Sequence, residues 1–388
     1  MCIIKHIMQN IDIKSSYNVN FTFKIIYALG IIFIVMGHCG GGGISIVSEF
    51  FPFCVFHLAI FMFASGFFYK EKNESNVKQY IFNKIKRLII PLYLWNFFYA
   101  FVIHTIKNFG FFPNVHVNLE TLFLTPIMHG HQFVLNLAGW FVIPLFMIHV
   151  INILIRKILK NFKININEIV YFGIMLIFGF IGVILSNKGY DKNWFLVLDR
   201  VLYFLPFYSL GILYKKYEQF DRLNNVVYFG IIFSIALVLI YHYNCMPPIT
   251  PSWVTFNGMC CFTPFIEGIL GIAFWLRISK ILTPAIGQSK FINTIADNTY
   301  TIMINHCAGF MLLKTIFALI SKYTEYCSNF NFSAYKTHIF YCYIPHNLTQ
   351  FYVLYVIAGI IFSIVFQQAI YKVVAFCKTK MVVSEQSV

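Results

Sequence analysis

Residues 21–91 read FTFKIIYALGIIFIVMGHCGGGGISIVSEFFPFCVFHLAIFMFASGFFYKEKNESNVKQYIFNKIKRLIIP, and they join two apolar runs to a strongly basic segment. The first run ends in His38 and a glycine tetrad at 40–43. The second run carries His57, and the basic segment after it closes at Pro91. An ionisable side chain inside a membrane helix is costly, so it is by default a candidate functional residue. The two apolar runs therefore predict a pair of membrane helices, and their histidines predict a functional site within that pair.

The composition is typical of a polytopic membrane protein. The chain has 388 residues, of which 59% are hydrophobic and 11% are charged, and its mean hydropathy is +0.72. Soluble domains carry about 25% charged residues. The net charge of +15 would suggest nucleic acid as the partner of a soluble protein. Because cytoplasmic loops of membrane proteins collect Lys and Arg, we instead expect the lipid bilayer as partner and no nucleic acid.

Apolar periodicity predicts ten membrane spans. They lie near residues 25–44, 50–69, 88–106, 134–155, 167–186, 200–214, 225–243, 259–279, 295–319 and 350–372. If the N-terminus is inside, all but seven of the 29 lysines and arginines fall in segments that face the cytoplasm; the exceptions are Lys107, Lys188, Lys192, Arg200, Lys314, Lys322 and Lys336. The sequence therefore predicts an all-α polytopic membrane protein with about ten transmembrane helices and cytoplasmic N- and C-termini.

The domain organisation follows from these spans. We predict a cytoplasmic N-terminal tail at 1–20, one ten-span membrane domain at 21–376, and a cytoplasmic C-terminal tail at 377–388. The first apolar run lacks a small-residue cleavage site and is interpreted as a retained span. The sixth span is short, and we expect it to be tilted or broken at Pro206.

The ten cysteines are scattered, without CxxC or metal-type spacing, so we predict no metal site. Most lie in apolar runs, where cysteine behaves as a small hydrophobe. Cys327 and Cys342 share one predicted external loop. A disulfide between them is compatible with the sequence but is not required by it.

Helical rise predicts that the two histidines lie at one depth. At about 1.5 Å per residue, His38 lies about 20 Å above the inner end of its run, which begins near Ile25. His57 lies about 10 Å below the outer end of the next run, in a core about 30 Å thick. We therefore expect both in one site, with Glu49 as a weaker candidate charge partner. The alternative is a pair of neutral histidines bonded to backbone carbonyls or water.

Two further groups of residues have both a topological and a functional interpretation. Lys84, Lys86 and Arg87 cluster where the third span begins, where they either anchor the helix at lipid phosphates or contact the phosphate of a cofactor. The external segments near 107–133, 244–258 and 320–349 are rich in aromatic residues, Asn, Pro and His. They are either aromatic-belt anchors or the vestibule for a polar, glycan-like acceptor.

Several segments, in this order, resemble the membrane acyltransferase 3 family of polytopic acyl-CoA-dependent O-acyltransferases. IVMGH at 34–38, FHLAIFMFASGFF at 56–68 and KIKRLIIP at 84–91 carry the resemblance in the first hairpin. GWFVIPLF at 139–146, VLYFLPFYSLGILYKK at 201–216 and IADNTYTIMINH at 295–306 extend it, so that it covers about 21–320. Many members carry an arginine eleven residues before the first-span histidine. Here that position is Tyr27, and Lys24 is the nearest cation.

The resemblance implies transfer of an acyl group, with acetyl as the first choice, from cytoplasmic acyl-CoA to a hydroxyl of an extracytoplasmic or lipid-linked carbohydrate. No permanently bound cofactor is expected. A neutral imidazole suits the general base, because its ordinary pKa is about 6.5. We assign His38 as that base and His57 as the residue that orients it or stabilises the oxyanion. The candidate donor contacts are Lys84, Lys86, Arg87 and Lys24, and the candidate acceptor contacts are Trp140, Tyr300, His306 and Glu49.

Other interpretations remain open at this point. Trp140 and Tyr300 are equally consistent with interfacial or core packing. The whole chain is also compatible with a transporter or flippase of a glycan or small polar solute, although Glu267 is the main acidic residue within a predicted span. A third interpretation is a membrane sensor or assembly subunit without enzymatic activity. In each case we expect a multi-pass protein of the cell membrane, a bacterial inner or plasma membrane.

Overall fold

A computed structural model describes residues 19–40, 50–129 and 133–386 of the chain. Within these ranges the architecture is helical, and the only β pairing there is an isolated bridge between Thr250 and Thr255. This confirms the all-α fold class. We number the ten longer apolar helices α1 (Phe21–Gly37), α2 (Phe53–Phe67), α3 (Ile90–Lys107), α4 (Val142–Asn161), α5 (Glu168–Asn187), α6 (Trp194–Tyr217), α7 (Asn225–Tyr243), α8 (Thr263–Ile286), α9 (Thr299–Tyr323) and α10 (Tyr352–Gln386).

Eight helical segments in the described ranges, those that contain α3 to α10, are long and apolar enough to cross a membrane. Helices α1 and α2 are apolar but shorter, with 17 and 15 residues. Each of the ten predicted spans overlaps one of these helices, so the chain is a multi-pass membrane protein. Asparagine side chains start three of the helices: Asn20, Asn167 and Asn224 accept a backbone N–H in the first turn of α1, α5 and α7.

The sixth span differs from its prediction. Helix α6 has 24 residues and continues through Pro206, so it is neither short nor broken there. The prediction began this span near residue 200, next to the charged pair Asp199 and Arg200. Both side chains are buried inside the protein, and the helix begins a turn and a half earlier.

Two other segments depart from simple expectations. Helix α4 is preceded by a 3-10 segment, Val134–Phe141, in which Asn136 has a non-helical backbone. In the predicted external segment before α10, Cys327 and Cys342 are separate thiols, so the disulfide that the sequence left open is not formed.

Helix α1 lies inside the bundle, where it contacts α2, α8, α9 and α10. Glycines allow the neighbouring helices to approach closely. A Cβ atom at Gly66 in α2 would lie 1.8 Å from the carbonyl oxygen of Tyr208, and one at Gly211 in α6 would lie 1.9 Å from that of Phe63. Helices α2 and α6 therefore pack backbone against backbone, as small residues permit in membranes. This packing holds the hairpin that carries the site.

Ion pairs connect neighbouring helices at the ends that the positive-inside pattern predicts to be cytoplasmic. Arg156 forms a two-pronged ion pair with Glu168, and Arg277 pairs with Asp221. Asp221 also accepts hydrogen bonds from Lys280 at 3.0 Å and from Tyr214 at 2.9 Å. One carboxylate therefore ties α6 to α8.

We expect Asp221→Asn to lower the free energy of unfolding by about 2–5 kcal/mol, because it leaves a buried guanidinium without its anion. The measurement is thermal unfolding in detergent. Asp297→Asn is the matched control, since Asp297 is 61% exposed where it pairs with Lys24. Asp297→Asn should lower the free energy of unfolding by less than about 1 kcal/mol. Equal effects of the two changes would contradict the assignment.

The contribution of Asp221 to the free energy of unfolding also depends on pH. Burial by itself raises the pKa of this carboxyl, but hydrogen bonds and charge from Lys280, Tyr214 and Arg277 outweigh burial and hold the pKa below its ordinary value. The stabilisation is therefore complete above the unfolded pKa of about 3.9 and is lost as the pH falls through the lower folded value.

Candidate active site

The structure brings His38 and His306 together. His38 is half-buried and caps the C-terminal end of α1, and His306 is fully buried in α9. Nδ1 of His38 lies 2.8 Å from Nε2 of His306. The two rings are nearly parallel, with centroids 4.9 Å apart and planes 15° apart. A direct hydrogen bond therefore joins one imidazole to the other.

The surroundings of His306 determine which nitrogen carries each hydrogen. Nδ1 of His306 lies 2.9 Å from the carbonyl oxygen of Ile302, one turn earlier in α9. A carbonyl can only accept, so Nδ1 of His306 donates, and in the neutral ring Nε2 accepts. His38 must then donate from its own Nδ1. This tautomer leaves Nε2 of His38 as the basic nitrogen, which is the state a general base requires.

The predicted external segment at 320–349 reaches this site. Phe340 stacks on His38, with ring centroids 6.0 Å apart and planes 26° apart. Gly40, just after His38, has a φ of +67°, and a Cβ atom there would lie 2.5 Å from the ring of Tyr352. Glycine is therefore required at position 40 for both its backbone conformation and its close approach to α10. The remaining glycines of the tetrad, at 41–43, and Glu49 lie outside the described residues.

His57 does not lie level with His38, so the prediction of equal depth was wrong. Phe33 in α1 contacts Phe56 in α2, with ring centroids 5.5 Å apart. This antiparallel pairing sets His57 opposite Phe33, about five residues or about 7 Å below His38. The prediction extended the first helix to residue 44, whereas α1 ends at residue 37 and places His38 at its tip. The imidazole that lies beside His38 is that of His306. A role for half-buried His57 stays a prediction.

Lys84 belongs to a buried network of side chains. Its Nζ lies 2.9 Å from Nε2 of His149 in α4, a residue that is only 4% exposed. Nδ1 of His149 lies 3.0 Å from the hydroxyl of Tyr80 and 3.1 Å from that of Tyr208. Because an ammonium only donates, Nε2 accepts from Lys84 and Nδ1 donates to the tyrosine oxygens. The network joins the basic segment to α4 and α6.

Lys86 and Arg87 are placed differently from Lys84. They lie in a π-helical turn, Ile85–Ile89, inside the continuous helical run Val77–Lys107. Lys86 lies over the ring of Phe82 at 4.3 Å, and Arg87 is exposed. Single π turns within α-helices are frequent at functional sites. The three predicted donor contacts therefore divide into one half-buried ammonium bound to His149 and two cations, Lys86 and exposed Arg87, outside that network.

The other predicted donor contact, Lys24, forms an ion pair with Asp297 at the opposite end of α1 from His38. Three residues further on, Tyr27 packs against Phe61 and Phe68, with ring centroids 5.9 Å and 6.4 Å away. Aromatic packing thus occupies the position where many relatives carry arginine.

The predicted acceptor contacts are not all close to His38. The ring of buried Trp140 lies under the guanidinium of Arg200, with 4.6 Å between them. Tyr300 donates a 3.1 Å hydrogen bond to the carbonyl of Leu88 and so ties α9 to the start of α3. Of the three predicted acceptor contacts that lie among the described residues, His306 bonds to His38.

Sequence reasoning missed His149 and Arg200. His149 offered the same signal as His38, because it is an ionisable residue within a predicted span. Arg200 was interpreted as a charge at the end of a span. That interpretation gave no reason to expect a buried side chain.

Comparison with known proteins yields one match. The family model of acyltransferase 3, described as an acyltransferase domain, matches residues 25–372. No curated protein and no solved structure matches the chain significantly. The matched range includes every candidate site residue except Lys24.

Proposed function

Since the chain belongs to the acyltransferase 3 family, a group of membrane acyltransferases, we propose that it transfers an acetyl group from cytoplasmic acetyl-CoA to a hydroxyl of an extracytoplasmic or lipid-linked carbohydrate. The observation that supports this proposal most directly is the His38–His306 hydrogen bond. It prepares one imidazole nitrogen as a base inside a membrane bundle, which acyl transfer to a hydroxyl requires.

The proposed reaction uses that nitrogen in two steps. Nε2 of His38 takes the proton of the acceptor hydroxyl as the oxygen attacks the thioester carbonyl carbon. A carbon–oxygen bond forms, the carbon–sulfur bond breaks, and the proton passes to the departing CoA thiolate. During the step His38 is an imidazolium, and its Nδ1–H continues to donate to Nε2 of His306. His306 is therefore a positioning residue that holds the ring and selects its tautomer.

Charge distribution supports entry of the donor from the cytoplasm. The basic segment lies on the side that the positive-inside rule assigns to the cytoplasm, whereas His38 lies at the other end of α1. Lys86 and Arg87 are suited to contact CoA phosphates, and the acceptor would arrive from the outside past the segment at 320–349. We place the protein in a bacterial inner or plasma membrane, without a permanently bound cofactor.

Removal of two accessible cations tests the donor side. We expect Lys86→Ala combined with Arg87→Ala to raise KM for acetyl-CoA about tenfold, because charge-assisted contacts of this kind are worth about one decade in affinity. The measurement is initial-rate kinetics in membranes over a range of acetyl-CoA concentrations. Lys216→Ala combined with Arg222→Ala removes the same charges from another exposed segment on that side. An equal rise in both double variants would assign the effect to net charge and would contradict a donor site.

The proposed function as a whole is tested by mass spectrometry of cell-surface glycans with and without the protein. We expect acyl mass increments only when the protein is present, together with consumption of labelled acetyl-CoA by its membranes. Movement of a glycan across the membrane without acetyl-CoA consumption would instead indicate a transporter or flippase.

A further inference from the structure

Arg200 in α6 is a buried cation whose hydrogen-bond partners are all neutral. The residue is 1% exposed. Its Nε donates to the carbonyl of Ser252 at 2.9 Å, and its Nη2 donates to the carbonyls of His129, at 3.0 Å, and of Ser252. Its guanidinium lies 4.6 Å from the ring of Trp140. Three N–H groups are therefore used on uncharged oxygens, and the positive charge itself is not neutralised by them.

Two other arginines, buried Arg277 and half-buried Arg156, provide a comparison. Arg156 and Arg277 also stack on an aromatic ring, at 4.0 Å and 3.9 Å, and both lie near the cytoplasmic helix ends. Each forms an ion pair with a carboxylate, Arg156 with Glu168 and Arg277 with Asp221. Among the residues that the structure describes, Arg200 has no such ion pair, and its Nη1 makes no hydrogen bond.

The neighbouring carboxylate does not fill this gap. Asp199 is fully buried, and neither of its oxygens has a hydrogen-bond partner. Consecutive residues point about 100° apart around a helix, so Asp199 and Arg200 face different neighbours. A buried guanidinium without a counter-ion is costly, and a carboxylate or phosphate that accepts from the N–H groups of Nη1 would offset that cost.

The neighbouring segments locate the guanidinium of Arg200 relative to the membrane. His129 and Ser252 belong to the segments near 107–133 and 244–258, which the charge distribution places on the outside. The stack on Trp140 holds the guanidinium plane, so the two N–H groups of Nη1 keep a fixed direction toward an anion. This position lies on the side from which the acceptor is proposed to arrive.

We propose that Arg200, on its Trp140 platform, binds an anionic group of the acceptor, either the carboxylate of an acidic sugar or the phosphate of a phosphorylated or lipid-linked one. This assignment rests on the proposed function, because it treats the ligand as the acceptor. It narrows the acceptor to an anionic carbohydrate and gives Trp140 a defined part in binding.

The test is thermal unfolding of the full chain in lipid nanodiscs with three sugars: glucuronate, glucose 1-phosphate and glucose. We expect one or both anionic sugars to raise Tm, glucose to leave it unchanged, and Arg200→Gln to abolish the rise. The sugar that protects identifies carboxylate or phosphate as the group. In kinetics with that anionic acceptor, KM for the acceptor should rise about tenfold to a hundredfold in Arg200→Gln, with KM for acetyl-CoA unchanged.

Arg277→Lys is the matched control, because Arg277 is equally stacked but already paired, and it should keep the protection by anions. If Arg200→Gln does not fold, Arg200→Lys keeps the charge without the fork and should show a smaller rise in Tm than the wild type. Protection by glucose equal to that by the anions, or a full rise in either Arg200 variant, would overturn the anion site. Acyl transfer to the anionic acceptor with unchanged KM in the Arg200 variants would overturn this inference alone. Protection through Arg200 without any acyl transfer would overturn the proposed function and, with it, the acceptor assignment.

Discussion

His38→Ala should reduce acyl transfer by about a hundredfold to ten-thousandfold, the range that a positioned general base contributes. The expected loss follows from the hydrogen bonds around the ring. His306 accepts from Nδ1 of His38, so Nε2 is the only nitrogen of this ring that can take a proton. Alanine removes that nitrogen. The measurement is incorporation of label from acetyl-CoA in membranes that contain matched amounts of each variant.

The control for this variant is His104→Ala. His104 is an exposed histidine in α3, so its removal makes the same chemical change away from the site. We expect wild-type transfer from His104→Ala. Undiminished transfer by His38→Ala at normal protein levels would refute the assignment of His38 as the base.

The fold was predictable because its determinants are local in the sequence. Each span needs about 20 apolar residues and each cytoplasmic loop carries positive charge, so hydropathy and loop composition identify them without knowledge of the packing. The predicted seventh span, 225–243, coincides with α7 for this reason. The extent of α1 was less predictable, because a glycine-rich continuation still has apolar character after the helix has ended at Gly37.

The partners within the candidate site were not predictable in the same way. His38 and His306 are 268 positions apart, and no periodicity in the sequence states that α1 lies beside α9. The sequence instead favoured His57, which is close along the chain and lies on the adjacent antiparallel helix. Helix adjacency is a property of tertiary packing, so a second histidine in a distant span carried the same signal without a reason to prefer it.

The burial of charged residues could not be predicted from the sequence. A lysine or arginine near a span boundary satisfies the positive-inside pattern whether it points to water or into the bundle. Lys84 satisfied this pattern and yet binds His149, whereas Arg200 was one of the seven exceptions to the pattern and is 1% exposed. Only the packing distinguishes a topological charge from one that is held for binding.

His306→Leu should lower kcat by about tenfold to a hundredfold, the cost of losing the partner that orients a functional histidine. Leucine fills a similar volume but offers no acceptor to Nδ1 of His38, so the ring loses both its fixed orientation and its fixed tautomer. KM for acetyl-CoA should not change, because His306 is proposed to act on the transition state through His38 and not on the donor.

His306→Gln separates a positioning role from a packing role. Its side-chain oxygen can accept from Nδ1 of His38 and restore the tautomer with Nε2 as base, so we expect kcat to recover partly relative to leucine. A packing role predicts the opposite order, because a buried amide should destabilise an apolar interface more than leucine does. Steady-state kinetics gives kcat and thermal unfolding gives Tm for both variants, and together they distinguish the positioning role from the packing role. If kcat follows Tm across the two variants and the glutamine variant shows no advantage, His306 supports the fold alone, and His38 must obtain its tautomer from another group.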